Sequence, residues 1–192
     1  MIISKFIQMS IFVLRFRYYN KFSSFWRKSF FEICGMEIGR ATAMPKIHIT
    51  WPHQVSIGEN CALEHDIYFH YDGTWKPGPS IVIGHNVFIG FGCEFNITDK
   101  IYIGNDCLIG SGTKFIDHDH GVSLNALMRS QLSIDKEIVV GDNVWVGANV
   151  IVLKGVKIAD GAIIAAGAVL NKSVGINEIW GGVPAKKIGD RK

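Results

Sequence analysis

The sequence predicts an all-β fold, a parallel β-helix built from six-residue repeats, and three observations favour it. Glycine accounts for 21 of the 192 residues, about 11% against roughly 7% in average usage. Glycine also follows an aliphatic residue again and again, as in Ile83-Gly84 and Ile89-Gly90. Finally, the longest block has an aliphatic residue at every sixth position, namely Val140, Val146, Val152, Ile158, Ile164, Leu170 and Ile176.

Each six-residue repeat would supply one short strand and one turn. The aliphatic side chain would point inward and stack on its equivalents in the coils above and below, while the small residue after it lets the backbone turn a tight corner. Three repeats would make one triangular coil of about 18 residues. A sandwich of short strands is the alternative, but its strands usually lie about 8–12 residues apart and drift in phase.

Composition excludes several classes of protein. Disorder is disfavoured because 48% of the residues are hydrophobic and the formal net charge is only +3. No apolar run reaches the roughly 18 residues that a membrane span needs. Outside the N-terminus the cations form no dense stripe, so we expect no nucleic-acid partner. The four cysteines show no close pairing, which is typical of buried thiols in a reducing compartment and predicts a cytoplasmic protein.

Residues 1–50 differ in kind from the β-helix domain predicted at 51–192. Phe6, Ile7 and Leu14 would share one face of a helix, and aromatic and basic residues follow. One interpretation is a helical cap that seals the open end of the coil. The other is an interfacial helix at an anionic membrane surface, which would make the protein membrane-peripheral.

Two loops interrupt the repeat. The Gly/Pro-rich stretch HYDGTWKPGPS separates the first coil from the restart at Ile83. The longer interruption, an extended loop at 116–137, is polar and contains His118 and His120. Because loops on rigid scaffolds often carry function, we expect the chemistry in this extended loop.

The most specific motifs are GDNVWVGAN, AAGAVLNKSV and GGVPAKKI, within a stretch from Ile57 to Ile188. Together with the hexads, this stretch resembles the acetyl-CoA-dependent sugar O-acetyltransferases of the hexapeptide-repeat superfamily. These include galactoside and maltose acetyltransferases and the acetyltransferases of exopolysaccharide and O-antigen synthesis. The resemblance implies a left-handed β-helix, a homotrimer, acetyl-CoA as co-substrate and no required metal. It also implies acetyl transfer to a saccharide hydroxyl, in surface polysaccharide biosynthesis.

The resemblance further implies that a histidine of the extended loop is the general base for direct attack of the acceptor hydroxyl on the thioester. Imidazole suits this task because its ordinary pKa, about 6.5, is close to neutral pH. Counting five residues on from Phe115 favours His120, with His118 as its partner or as a substrate contact. Asp117 or Asp119, a backbone carbonyl or a neighbouring subunit would orient the ring.

Donor binding is expected on the C-terminal coils. By resemblance, six residues form this site: Trp145 beside the transferred acyl group, Ala148 and Ala166 along the pantetheine arm, and Asn171, Lys172 and Lys187 at the nucleotide end. The family often has an arginine where this sequence has Gly189, so Lys187 or Arg191 would replace it.

The acceptor side is expected to include Glu94, Asn96 and Asp99. Family members often have Asn where this chain has Glu94, which leaves the acceptor open between a saccharide and a nucleotide sugar. Tyr71 and Trp75 would either stack on a sugar ring or pack their loop onto the scaffold.

Three alternatives remain. The first is an N-acetyltransferase that acts on a nucleotide-linked amino sugar, since an amine acceptor also uses a histidine base. The second is a metalloenzyme similar to the γ-class carbonic anhydrases, with zinc held by His85, His118 and His120. The third is a non-catalytic β-helix scaffold. In a trimer, the donor cleft would lie between subunits, with His120 of one subunit facing the coils of the next.

Overall fold

Three parallel sheets form the faces of a triangular coil, which confirms the predicted all-β parallel β-helix. The computed structural model describes residues 2–192, with the side chains of residues 4–15 and 18–192. The chain runs repeatedly from the first face (A) to the second (C) and the third (B). The turns between faces are therefore named corners AC, CB and BA.

Each face stacks short strands from successive coils. Face A contains Glu37–Ile38, Val55–Ile57, Ile81–Ile83, Ile101–Ile103, Ile138–Val140 and Lys157–Ile158. Face C contains Ala62–Leu63, Phe88–Ile89, Leu108–Ile109, Trp145–Val146, Ile163–Ile164, Glu178–Gly182 and Ala185–Asp190. Face B contains His48–Ile49, Tyr68–Tyr71, Glu94–Ile97, Lys114–Ile116, Ile151–Leu153 and Val169–Leu170.

The core is the inside of the coil, where residues in register stack on one another. Six of the seven periodic aliphatic residues are buried there, namely Val140, Val146, Val152, Ile158, Ile164 and Leu170. The prediction for Ile176 is wrong, because this side chain is exposed. The last bridge of face A joins Ile158 to Val174, and the chain has turned towards the C-terminal hairpin by residue 176.

A stack of phenylalanines supports face B from inside. Phe69, Phe95 and Phe115 are fully buried, and successive ring centroids lie 5.0 Å apart. Because side chains alternate along a strand, this inward stack directs the neighbouring residues of face B to the outside.

Many corners need a left-handed backbone. Asn and Asp tolerate positive φ better than other residues that carry a side chain. They take it at Asn60, Asp66, Asn86, Asp106, Asn143, Asn149 and Asn177.

The N-terminus is helical, as predicted. Helix α1 (Ile2–Phe12) continues through a π-helical stretch (Val13–Tyr19) into helix α2 (Asn20–Ile33). Phe31, near the end of α2, is buried against the first coil. Strands before residue 51 already belong to faces A and B, so the stack begins within the predicted N-terminal segment.

Two irregular features decorate the coil. The extended loop has an antiparallel pair at its base, His118–Asp119 with Ile134–Asp135, and a 3₁₀ turn at Met128–Ser130. The C-terminal hairpin, Glu178–Gly182 with Ala185–Asp190, extends face C. A further 3₁₀ turn at Pro52–Gln54 lies between the first strands.

Candidate active site

The extended loop leaves the coil at corner BA, directly after the face B strand Lys114–Ile116. Its antiparallel base is closed by the Lys136 N–H, which donates to the Asp117 carbonyl over 2.8 Å. The first residues of the loop are therefore held against the rigid coil.

Asp117 ties the loop to the preceding coil. Its carboxylate is fully buried and accepts three backbone N–H groups, from Thr98 at 2.9 Å, Asp99 at 2.8 Å and Lys100 at 3.0 Å. These three residues form the corner where the hexad phase slips, so their N–H groups lack partners in a strand. A carboxylate is a strong acceptor for such donors.

His118 lies beside this carboxylate. Its Nδ1 atom is 3.1 Å from Asp117 Oδ1 and 3.1 Å from Thr98 Oγ1, and the side chain is 14% exposed. A carboxylate oxygen that accepts from backbone N–H groups acts only as an acceptor, so Nδ1 is assigned as the donor. In the neutral ring this leaves Nε2 as the atom that can take up a proton.

His120 has a different environment. It is exposed, and its ring makes no hydrogen bond within the described residues. The intervening Asp119 pairs with Lys154 of the next coil at 2.7 Å rather than with either histidine. Of the two histidines singled out in the sequence, the structure orients His118. The signal for this in the sequence is Asp117, at the residue where the hexad ends.

The predicted acceptor residues lie along face B and corner BA. Glu94 and Asn96 point outward on either side of the inward Phe95, and Glu94 pairs with Lys114 at 3.0 Å. Asn96 Oδ1 is buried and has no hydrogen-bond partner within the described residues. The Asp99 N–H group donates to the Asp117 carboxylate, so Asp99 lies next to the residue that holds His118.

The loop after Tyr71 lies at the same corner. Its Lys76 Nζ atom donates to the Asp99 carbonyl at 3.4 Å and lies 5.2 Å from the centre of the Tyr71 ring. Trp75 is exposed, and its ring centroid is 5.8 Å from that of His53. The loop thus forms one wall of corner BA through Lys76, and it carries an exposed indole.

The predicted donor residues divide between the corners. Trp145 projects from face C with 53% exposure. Ala148 and Ala166 follow it at corner CB in successive coils, where the Gly167 N–H donates to the Ala148 carbonyl at 2.8 Å. Their small side chains leave this corner open to a ligand that approaches the backbone.

The predicted nucleotide-end residues lie elsewhere. Asn171 and Lys172 are exposed at corner BA, two coils above His118. Lys187, in the C-terminal hairpin, is held by Asp190 at 2.7 Å and Glu178 at 3.0 Å, and these carboxylates raise the pKa of its ammonium. Within one chain, face B separates corner CB from corner BA by about 20 Å, the span of six extended residues.

The buried cysteines and His85 differ in environment from the loop histidines. Burial raises the pKa of Cys93 and that of Cys107 to about 11, so both are thiols rather than thiolate nucleophiles at neutral pH. His85 lies at corner AC, where its Nδ1 accepts the Glu59 N–H group, away from the two loop histidines. Within the described residues, no group of three His, Cys, Asp or Glu side chains is arranged to hold a metal ion.

Comparison with protein families matches the repeat in two blocks. Residues 137–172 match the family described as bacterial transferase hexapeptide (six repeats), and residues 80–113 match the hexapeptide repeat of succinyl-transferase. Hexapeptide repeats of this type indicate a left-handed β-helix, as the resemblance implied. No curated protein matches the sequence.

Solved structures that contain hexapeptide repeats are similar to this chain. A hexapeptide-repeat acetyltransferase of Vibrio cholerae in complex with acetyl coenzyme A is 25% identical, with a TM-score of 0.63 over 86% of this chain and 76% of that one. The chain is an acyltransferase that contains hexapeptide repeats.

The acyltransferase shares its fold with enzymes of two acceptor types. The N-acyltransferase AntD of Bacillus cereus, solved with dTDP and coenzyme A, is 23% identical with a TM-score of 0.73, covering 84% of this chain and 88% of that one. A maltose O-acetyltransferase of Clostridium difficile is 23% identical with a TM-score of 0.61, covering 86% of this chain and 75% of that one. At these identities the likeness concerns the fold alone.

Proposed function

We propose that this acyltransferase moves an acetyl group from acetyl-CoA to a hydroxyl of a saccharide acceptor in surface polysaccharide biosynthesis, in the cytoplasm. The observation that carries the proposal is the Asp117–His118 pair at the base of the extended loop, 3.1 Å apart and anchored to the coil. A histidine held in this way has the orientation and the free nitrogen that a general base needs.

In the proposed reaction, His118 Nε2 takes the proton of the acceptor hydroxyl as its oxygen attacks the thioester carbonyl carbon. The tetrahedral intermediate collapses, the carbon–sulfur bond breaks, and the imidazolium returns the proton to the departing coenzyme A sulfur. No acyl-enzyme forms. Asp117 keeps the ring oriented and stabilises the imidazolium, and general-base assistance of this kind contributes about 10²–10⁴-fold in rate.

For the acceptor, we propose contacts from Asn96, Asp99 and Glu94 below the histidine. The buried Asn96 Oδ1 lacks a donor within the described residues, and a sugar hydroxyl would supply one. The exposed Trp75 is available to stack on a sugar ring.

For the donor, we propose that the site is completed by a second subunit of a homotrimer. The pantetheine shelf formed by Ala148 and Ala166, with Trp145 beside it, lies across face B from His118, too far for one chain to use both. A second copy placed against the coil would bring its shelf to the histidine. An outward apolar stripe on face C supports this packing, since Leu108 and Trp145 are in register and both half exposed.

The test measures release of coenzyme A thiol from acetyl-CoA against a panel of sugars and nucleotide sugars, for wild type, His118→Ala, His120→Ala and the control His65→Ala. We expect His118→Ala to lose about 10²–10⁴-fold in turnover, with His120→Ala close to wild type. The reverse result would make His120 the base, as the count along the sequence favours. Unchanged turnover in both variants would rule out a histidine base.

A second candidate is N-acylation of a nucleotide-linked amino sugar, favoured by the fold likeness to AntD. The same panel separates the two, because only an amino sugar would then release thiol at a high rate. Parallel assays after dialysis against EDTA address the expectation that no metal is required. Loss of turnover that zinc restores would favour a metalloenzyme instead.

A further inference from the structure

The N-terminal helix (Ile2–Ile33) has an inner part that is bound to the coil. The Arg27 Nε atom donates to the Met44 carbonyl at 2.9 Å, and the Lys28 Nζ atom donates to the Gly39 carbonyl at 2.8 Å. Ser24 Oγ accepts the Met44 N–H group at 2.8 Å. This inner part, residues 24–31, is hydrogen-bonded to the first coil.

The outer part of the same helix comprises residues 4–15 and 18–22. Every side chain of this outer part is exposed. Many are large and apolar, including Phe6, Ile7, Ile11, Leu14 and Phe22. A contiguous apolar surface of this kind marks an interaction site.

The charge of the segment identifies its partner. Residues 1–31 contain six Lys or Arg residues and no Asp or Glu, whereas residues 32–192 contain 14 Lys or Arg against 17 Asp or Glu. The helix is therefore cationic on a protein body that is net acidic. An apolar surface with cations and aromatic rings matches an anionic lipid interface.

Self-association fits these observations less well. Copies that packed their helices together would bring cations close to one another, with no acidic side chain in residues 1–31 to pair with them. No helix of the described residues is long and apolar enough to cross a bilayer. A helix that lies in the membrane interface buries its apolar side chains and places its cations near anionic headgroups without crossing the bilayer.

We propose that the outer part of the N-terminal helix binds the surface of a membrane that contains anionic lipid, lying in the interface with its apolar side chains among the acyl chains. The exposed aromatic side chains Tyr18 and Tyr19 suit the headgroup level. The inner part of the helix transmits this attachment to the coil.

The experiment measures co-sedimentation of the full chain with phosphatidylcholine vesicles and with phosphatidylcholine/phosphatidylglycerol vesicles. The variants are Ile7→Asp/Ile11→Asp and Lys5→Glu/Lys21→Glu, with Ile176→Asp as a matched control because it also places an acid at an exposed isoleucine. Thermal unfolding and acetyl-CoA turnover verify that each variant is folded.

We expect wild type and the control to bind the anionic vesicles, less strongly at high salt. The double isoleucine variant should lose about tenfold or more in partitioning. The charge variant should lose binding to the anionic vesicles alone. The proposal would be overturned if wild type did not bind anionic vesicles, or if the Ile7→Asp/Ile11→Asp variant bound them as strongly as wild type. So would assemblies larger than a trimer that dissociate in this variant without vesicle binding, because they would make a second copy the partner.

Discussion

At the scale of single residues, Asp117 connects the coil to the extended loop. One buried carboxylate satisfies the N–H groups of Thr98, Asp99 and Lys100 and also holds Nδ1 of His118. Adjacent residues of an extended strand point to opposite faces, but the chain leaves the coil here, and both side chains turn towards the same corner.

Replacing this carboxylate should affect folding as well as catalysis. Asp117→Asn places an amide NH₂ against backbone donors, so we expect the free energy of unfolding to fall by about 2–4 kcal/mol. Asp119→Asn is the matched control, and it should change stability by less than about 1 kcal/mol because its pair with Lys154 is half exposed. Urea unfolding measures both. Equal stability of the two variants would contradict the role given to Asp117.

At the scale of elements, the corners of the coil require close approach of successive turns. A Cβ atom on Gly58 would lie 2.5 Å from the Gly84 carbonyl oxygen and 2.7 Å from its carbonyl carbon, so the backbones of adjacent coils would collide. Gly92 is required for another reason, since its φ is +65° while the space around a Cβ is open.

These two glycines separate steric from conformational cost. Gly58→Ala should destabilise the protein by about 3 kcal/mol or more, because rigid backbone of the neighbouring coil has to move. Gly92→Ala should cost only about 1 kcal/mol, the price of a left-handed alanine. Chemical denaturation of both variants tests this, and a larger loss for Gly92→Ala would be inconsistent with the tight stacking.

The C-terminal hairpin depends on Glu178. Hydrogen bonds from Trp180 Nε1 and the Gly175 N–H group, and the pair with Lys187, lower the pKa of its carboxyl to about 2. A lowered pKa in the folded state means that the ionised form stabilises the fold above pH 4.5, the ordinary value, and that this stabilisation is lost as the pH falls towards 2.

Glu178→Gln should therefore lower Tm at neutral pH, and the difference from wild type should shrink between pH 4.5 and 2. Thermal scans over this range are the measurement. Glu59→Gln, at the exposed pair with Arg40, is the control, and we expect a small effect on Tm. A Tm difference for Glu178→Gln that stays constant down to pH 2 would count against the assigned interactions.

At the scale of the whole molecule, the triangular section keeps its three corners apart. His118 is at corner BA, whereas Ala148 and Ala166 are at corner CB. The proposed function uses all three residues, so it requires a second copy of the chain. The half-exposed Leu108 and Trp145 are the apolar side chains proposed for that contact.

Mixed assemblies test this arrangement. His118→Ala and Ala166→Trp should each be inactive alone, the second because the indole fills the pantetheine shelf. Co-expressed at equal levels, they should recover about one quarter of wild-type turnover, the share of interfaces in a cyclic trimer that pair two intact halves. A mixture of His118→Ala with the double variant should recover none. No recovery in the first mixture would place the whole site in one chain.

The sequence by itself determined the repeat, the triangular coil, the inward aliphatic residues and the extended loop with its histidines. These follow from a local period, since each hexad meets the same neighbours one coil above and below. The count along the sequence favoured His120 and placed Ile176 inside the coil. It did not predict that Asp117 holds the ring of His118, nor that Ile176 is exposed. The first outcome depends on the backbone N–H groups of Thr98, Asp99 and Lys100, which donate to the Asp117 carboxylate. The second depends on the turn of the chain into the C-terminal hairpin. Only the tertiary structure decided them, because these hydrogen bonds form where the hexad phase is interrupted, and the repeat does not predict contacts there.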